Sequence, residues 1–168
     1  AAGQLYSGYM NKWMNLAPGF GVNFNCFGTE ITFGRDIANA YPGQTIALIK
    51  VSVGATMLDG SWRAPDANGQ GAGELYTLLI NTVQQSLAKL DPGYEPVISG
   101  MIWMQGESDG SNYSSAMIYK QNLTRFIQSV RSDLNAPDMP FIIGQIAMNF
   151  PWLYGEIVRQ AQYEIISP

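Results

Sequence analysis

The residues with the clearest chemical potential lie in one short stretch, WMQGESDG, which runs from Trp103 to Gly110. It follows the apolar run VISGMI and precedes a loop rich in serine and asparagine. Its second half, GESDG, matches the G-x-S-x-G pattern of a nucleophile elbow, in which Ser108 would attack a carbonyl carbon. In the other interpretation, Gln105 and Glu107 support a nucleophile that lies elsewhere.

Two features count against Ser108 as an elbow nucleophile. An elbow serine needs a general base, usually histidine, and the chain contains no histidine. These residues alone therefore cannot complete a Ser-His-Asp triad. The elbow also requires a helix that begins at once, whereas the next four residues, Asp109 to Asn112, all disfavour helix interiors. The supporting role is the better interpretation of this stretch.

Gln105 and Gly54 have the groups that an oxyanion hole requires. Gln105 offers a side-chain NH2 donor, and Gly54 offers a backbone N–H with no side chain to block approach. Each such donor is worth roughly 2.7–4 kcal/mol at the transition state. Glu107 could orient a base or brace the loop. A structural explanation is also open, in which Gly54 permits a tight turn and Gln105 and Glu107 cap the next helix or bond the loop backbone.

The order of the predicted elements is typical of an α/β protein. Apolar residues spaced three and four apart predict four helices, which cover residues 29–41, 74–90, 115–134 and the segment around 157–165. Apolar runs between the helices predict three strands, at residues 45–53, 97–104 and 141–147. Such alternation favours a parallel sheet with helices on both faces.

In such sheets the functional residues lie on loops that leave the carboxyl ends of the strands. Three loops qualify, and they are Gly54-Ala55-Thr56, residues 105–109 and Met148-Asn149-Phe150. We therefore expect the donors of Gly54 and Gln105 to converge. Lys50 interrupts the first predicted strand, and we expect its side chain to reach solvent or a carboxylate.

Composition limits the classes of function. The chain has 168 residues, of which 46% are hydrophobic and 13% charged, and this balance fits one globular domain. The net charge is −4 and the nine lysines and arginines form no basic cluster, which argues against a nucleic-acid partner. No run approaches the roughly 18 apolar residues of a membrane span. The single cysteine, Cys26, excludes an intrachain disulfide and a cysteine-based metal site.

Five segments resemble, in chain order, the sialic-acid-specific acetylesterase-like branch of the SGNH hydrolases. They are FGTEITFGRDIANAYPGQTIALIKVSVGATML, LYTLLINTVQQSLAKL, ISGMIWMQGESD, FIIGQIA and IVRQAQ. This branch includes the family-six carbohydrate esterases, among them acetylxylan esterases. The resemblance implies a flavodoxin-like three-layer α/β/α sandwich with a mainly parallel sheet. It also implies a serine ester hydrolase that removes acetyl groups from a glycan such as xylan or sialic acid, without metal or cofactor, in an extracellular or periplasmic setting.

The resemblance also implies roles for individual residues. Gly54 matches the oxyanion-hole glycine of the family, and Gln105 would be the side-chain donor to the same oxyanion. Glu107 matches an acidic residue thought to assist the histidine or to order the loop. Ser108 is not the nucleophile in this alignment.

The chain departs from the family pattern at three places. The family nucleophile is the serine of a Gly-Gln-Ser-Asn turn after the first strand, and residues 2–7 resemble that turn too weakly for Ser7 to take the role. The family's C-terminal Asp-x-x-His is absent, and a family Gly-Gly-Thr is Gly54-Ala55-Thr56 here. We therefore expect residues 1–168 to be an interior portion of a single esterase domain, inactive when isolated.

A non-catalytic carbohydrate-binding or scaffold protein is the alternative function. Four aromatic residues near the predicted crevice could stack on sugar rings, and they are Trp62, Trp103, Tyr113 and Trp152. Packing in the core or at its rim is the favoured explanation for them. A fold of this kind does not by itself decide between the two functions.

Overall fold

The computed structural model describes residues 12–20, 26–148 and 151–166. The chain divides into two compact units. The first unit consists of Ala1–Gly54 and Thr82–Tyr94, and the second of Ala55–Asn81 and Glu95–Pro168. Ser7, Asn149 and Phe150 lie outside the described residues. Predictions that concern these three residues, and the prediction of a single esterase domain, stay predictions.

The first unit contains the first predicted helix, α1 (Glu30–Ala40). Its tightest contact is at Gly34, where a Cβ atom would lie 2.5 Å from Leu16 Cδ2 and 2.8 Å from Leu48 Cδ1. A side chain at this position would require both leucine side chains to shift, so the glycine lets the helix pack directly on them. The helix ends before Pro42, as the sequence predicts, but Tyr41 at its C-terminal end is 52% exposed rather than buried.

The strand predicted for residues 45–53 is wrong, because the structure has no strand in that segment. Its apolar residues are half-buried, among them Ile46, Leu48 and Val51. An apolar run predicts burial, but a strand also needs a neighbouring backbone that accepts and donates its hydrogen bonds. Lys50 behaves as predicted, since its Nζ lies 3.0 Å from Glu30 Oε1 and donates to the carbonyl oxygen of Phe20 at 2.7 Å.

The helix predicted for residues 74–90 is α2 (Glu74–Leu87). Its apolar stripe is buried at Leu75, Leu79 and Val83. The helix ends three residues early, because Lys89 and Leu90 form i→i−3 bonds to the carbonyl groups of Ser86 and Leu87. Such tightening is common in the last turn of a helix. No helix within the described ranges is long and apolar enough to cross a membrane.

The second unit contains a small parallel sheet. Strands β1 (Met101–Met104) and β2 (Phe141–Gly144) pair in register, with Trp103 opposite Ile143. Both strands are shorter than the sequence predicts, and they form a two-stranded sheet in the described part of the chain. Parallel pairing is confirmed, and the fold is mixed α/β. The three-layer sandwich stays a prediction.

Two further helices belong to this unit, α4 (Tyr113–Asp133) between the strands and α5 (Gly155–Ile166) after β2. A long helix between paired parallel strands is the usual βαβ crossover. On α4, Leu123, Phe126 and Val130 are fully buried, and on α5 Val158 is fully buried. These apolar faces agree with the periodicity of the sequence. Trp103 of β1 packs against Phe126 with ring centroids 4.4 Å apart, so the sheet and α4 share one core.

Helix α4 has a side-chain cap at its N-terminus. The Asn112 side-chain oxygen accepts a hydrogen bond from the Ser115 backbone N–H at 3.1 Å. This bond satisfies one of the backbone donors that a helix leaves free in its first turn. At the corresponding position of α1, Thr29 makes no such side-chain bond.

We predict that Asn112→Ala lowers the free energy of unfolding by about 1 kcal/mol, because it removes the cap of α4. Urea unfolding followed by circular dichroism measures the change. Asn112→Asp keeps an acceptor oxygen and should retain most of the stability, and Thr29→Ala should lose only a few tenths of a kcal/mol. Equal losses in Asn112→Ala and Asn112→Asp would show that the cap does not stabilise the helix.

Candidate functional site

The WMQGESDG stretch begins in β1 and turns sharply at its end. Gly106 has a φ of 143°, a conformation that only glycine adopts readily. A Cβ atom there would lie 2.8 Å from Val158 Cγ1 and 3.2 Å from both Gln162 Nε2 and Ile146 Cγ2. The turn therefore presses the backbone against α5, and a larger residue has no space.

A short helix, α3 (Glu107–Gly110), follows this turn at once. The expectation that no helix starts here is wrong. One helical turn is short enough to tolerate Asp109 and Gly110, since the turn packs closely on α5. A Cβ atom at Gly110 would lie 3.1 Å from the Cα of Gly155. The local argument against Ser108 as an elbow nucleophile is therefore lost, and the supporting role of this stretch stays a prediction.

The Gln105 side chain is only 8% exposed and points into the second unit. Its Nε2 donates to Asp109 Oδ2 at 2.6 Å and to the carbonyl oxygen of Thr56 at 3.1 Å. Both amide hydrogens are therefore engaged in this structure. The bonds fix which end of the amide is the nitrogen, because both neighbours are acceptors.

Asp109 is fully buried and accepts three hydrogen bonds. Besides Gln105, the backbone N–H of Leu58 donates to its Oδ2 at 2.9 Å and that of Asp59 to its Oδ1 at 3.2 Å. The carboxylate thus ties α3 to the loop at residues 56–59. Charge-assisted bonds of this type are stronger than bonds between neutral groups. The sequence analysis missed this role, because Gln105 lies before the helix and the bond depends on the turn at Gly106.

The backbone carbonyl of Gln105 accepts two buried hydrogen bonds. One comes from the Tyr119 hydroxyl of α4 and the other from Gln162 Nε2 of α5, both at 2.9 Å. Gln162 Oε1 in turn accepts from the backbone N–H of Ile146 at 3.0 Å. The loop after β1 is therefore held by α4 and α5 together. The sequence analysis did not identify Gln162. The one indication of its role in the sequence is a polar amide side chain among the apolar positions of α5.

Burial changes the protonation behaviour of two of these groups. Burial raises the pKa of Asp109, although the Leu58 N–H, the Gln105 amide and the Asp59 N–H oppose that rise. Burial also raises the pKa of Tyr119 well above its ordinary value. Tyr119 therefore stays a neutral hydroxyl that can donate to the Gln105 carbonyl.

The two other predicted site residues are Glu107 and Gly54. Glu107 is the first residue of α3 and is half-buried, so it shares the loop of Gln105. Gly54 is the last residue of its segment in the first unit, whereas Gln105 and Glu107 belong to the second. Ala55 has a φ of 58°, which explains why glycine suits this position in the family pattern Gly-Gly-Thr. The proposed convergence of Gly54 and Gln105 stays a prediction.

Two of the four aromatic candidates for sugar stacking are core residues. Trp62 and Trp103 are each 4% exposed and pack edge to face, with ring centroids 5.3 Å apart. Packing is therefore the correct interpretation for both. Tyr113 is 55% exposed and lies against Tyr154 with centroids 5.3 Å apart. Within the described ranges, no three His, Cys, Asp or Glu side chains come together as metal ligands would.

We predict that Asp109→Asn changes the pH dependence of stability. Because the folded pKa of Asp109 is raised above its ordinary value of 3.8, the carboxyl contributes most to stability below that pH. The contribution is lost as the pH rises through the folded pKa. In urea unfolding between about pH 3.5 and 7, the free energy of unfolding of the wild type relative to the variant should therefore fall as the pH rises.

Asp66→Asn is the matched control with the opposite sign. Backbone N–H groups of Gln70 and Asn68 lower the pKa of Asp66, so its contribution is present above the ordinary value and lost at acid pH. The free energy of unfolding of the wild type, relative to this variant, should therefore increase as the pH rises. A change in the same direction for both variants would contradict the raised pKa of Asp109.

Comparisons with known proteins identify relatives of this chain. A protein of Arabidopsis thaliana named probable carbohydrate esterase At4g34215 is 40% identical over 65 residues, which are 39% of this chain and 24% of that protein. The X-ray structure of the At4g34215 protein matches with a TM-score of 0.66 at 28% identity, over 80% of this chain and 51% of that chain. The chain therefore spans about half of the solved relative. The family model described as carbohydrate esterase, sialic acid-specific acetylesterase, matches residues 10–168, and the chain belongs to that family.

Proposed function

We propose that this chain is the oxyanion-stabilising part of a carbohydrate O-acetylesterase, a serine ester hydrolase that removes acetyl groups from a glycan such as xylan or sialic acid. The observation that supports the proposal is the buried, oriented amide of Gln105 at the carboxyl end of β1, in a chain of the carbohydrate esterase family. Ligands of open α/β sheets bind at that edge. In this proposal, the substrate carbonyl arrives at this amide.

In this proposal, attack on the acetyl carbonyl forms a tetrahedral intermediate with a negative oxygen. The Gly54 backbone N–H and Gln105 Nε2 donate to that oxygen. Because both hydrogens of Nε2 are engaged, one must be released, and the bond to the neutral Thr56 carbonyl at 3.1 Å is weaker than the bond to the Asp109 carboxylate at 2.6 Å. The oxyanion thus replaces Thr56 as an acceptor, while Asp109 keeps the amide in place.

The nucleophile and the general base are the remaining parts of the reaction. The family pattern supplies a serine and a histidine, and no histidine occurs among these 168 residues. We propose that the base belongs to another part of the full gene product. Glu107, half-buried at the start of α3, would orient that histidine or hold the loop.

We predict that Gln105→Ala in the full gene product lowers kcat for an acetyl ester by about a hundredfold, because one donor to the oxyanion is lost. Release of acetate from p-nitrophenyl acetate and from acetylated xylan measures the effect. Gln128→Ala, the same change on the exposed face of α4, is the control and should leave kcat unchanged. Retention of wild-type kcat by a folded Gln105→Ala variant would contradict the role of Gln105.

The alternative function is a non-catalytic carbohydrate-binding protein, and the exposed Tyr113 ring beside Tyr154 is the observation that favours it. Exposed aromatic rings provide apolar faces on which sugar rings can stack. In this case the full gene product would bind acetylated xylan without releasing acetate.

We predict under this alternative that Tyr113→Ala weakens binding to acetylated xylan oligosaccharides by about threefold to tenfold in calorimetric titration. Tyr94→Ala removes a tyrosine that is similarly exposed, at 52%, and should leave the affinity unchanged. Equal affinities of the wild type and both variants would exclude Tyr113 from a binding surface.

A further inference from the structure

We infer that Asp109 is a positioning residue for the proposed ester hydrolysis, and that its carboxylate keeps the Gln105 amide nitrogen, not the amide oxygen, available to the oxyanion. This inference rests on the proposed function. From the sequence alone, Asp109 was considered only as a residue that disfavours helix interiors.

A glutamine amide has two orientations of nearly equal shape, which differ by exchange of oxygen and nitrogen. In the observed orientation, Nε2 faces the Asp109 carboxylate at 2.6 Å and the Thr56 carbonyl at 3.1 Å. Rotation by half a turn would place Oε1 against both of these acceptors and leave it without a donor there. The carboxylate therefore excludes the orientation in which the site would present an oxygen to a developing oxyanion.

Asp109 can select the amide orientation because it is itself fixed. It lies on the single turn of α3 and is fully buried, and two backbone N–H groups, of Leu58 and Asp59, hold its oxygens. All three of its hydrogen-bond partners are donors. A carboxylate satisfies three donors at once, whereas a group with a hydrogen-bearing atom in place of one oxygen cannot.

Asp109→Asn tests this requirement with little change in shape. Whichever way the introduced amide is turned, its NH2 group faces a donor, either the backbone N–H of residue 58 or 59 or the amide of Gln105. The Gln105 amide then loses its charged acceptor. It keeps two weaker contacts, from Nε2 to the Thr56 carbonyl at 3.1 Å and from the Tyr119 hydroxyl to Oε1 at 3.3 Å. The Tyr119 and Gln162 bonds to the Gln105 backbone also remain, so the loop keeps its position while the side chain is held less tightly.

The experiment is a double-mutant cycle in the full gene product, with p-nitrophenyl acetate as substrate. Asp109→Asn should lower kcat by about tenfold with little change in KM, because the affected bond forms only with the oxyanion. In the Gln105→Ala background the same substitution should change kcat less than about twofold. Asp133→Asn, which removes a carboxylate that accepts from Tyr76 at 2.6 Å, is the matched control and should leave kcat unchanged. Additive losses from Asp109→Asn and Gln105→Ala would overturn the inference.

A second readout does not depend on activity. The side-chain amide resonances of Gln105, identified by their absence in Gln105→Ala, should exchange slowly with solvent in the wild type and markedly faster in Asp109→Asn. Equal exchange in both proteins would overturn the positioning role. If the wild type released no acetate from any ester, the proposed function and the catalytic part of this inference would both fail, while faster exchange in Asp109→Asn would still support control of the amide by Asp109.

Discussion

The Gln105 amide lies between the carboxylate of Asp109 and the carbonyl of Thr56, in a part of the second unit with little access for water. Buried polar groups without partners cost about 1–3 kcal/mol each, so the surrounding elements must supply partners for this amide and for the Asp109 carboxylate. The one-turn helix α3 brings Asp109 to the amide, and the loop at residues 56–59 brings the backbone donors that hold Asp109. The amide and the carboxylate can therefore be buried together only in an arrangement that supplies these hydrogen-bond partners.

The same requirement explains why the loop after β1 has its unusual shape. Its carbonyl at Gln105 needs donors, and Tyr119 and Gln162 reach it from two different helices. They can do so only because Gly106 lets the backbone approach α5 without a side chain between them. Burial raises the pKa of Tyr119, which keeps its hydroxyl a donor. Packing and hydrogen bonding thus fix the loop on three sides, while the side chains of Glu107 and Ser108 remain half-buried at its edge.

A fixed amide is what electrostatic catalysis requires. In the proposed reaction the amide stays oriented by Asp109 and releases only its bond to the Thr56 carbonyl, so it reorganises less than water would when charge develops on the substrate oxygen. Packing also limits which aromatic rings are exposed. Trp62 and Trp103 are buried in the core, so neither ring is open to a sugar, whereas Tyr113 lies at the surface.

The sequence by itself determined the four long helices, two parallel strands within residues 97–104 and 141–147, and the family, because helical periodicity, apolar runs and the WMQGESD pattern are local properties of the chain. It also located Gln105 directly after β1, whereas the structure places Glu107 at the start of α3. Only the tertiary structure decided that residues 45–53 form no strand, that α3 starts at Glu107, and that the Gln105 amide is bound by Asp109. The physical reason is that strand pairing and buried hydrogen bonds depend on partners brought together by folding, such as Leu58, Tyr119 and Gln162, and no local pattern specifies those partners.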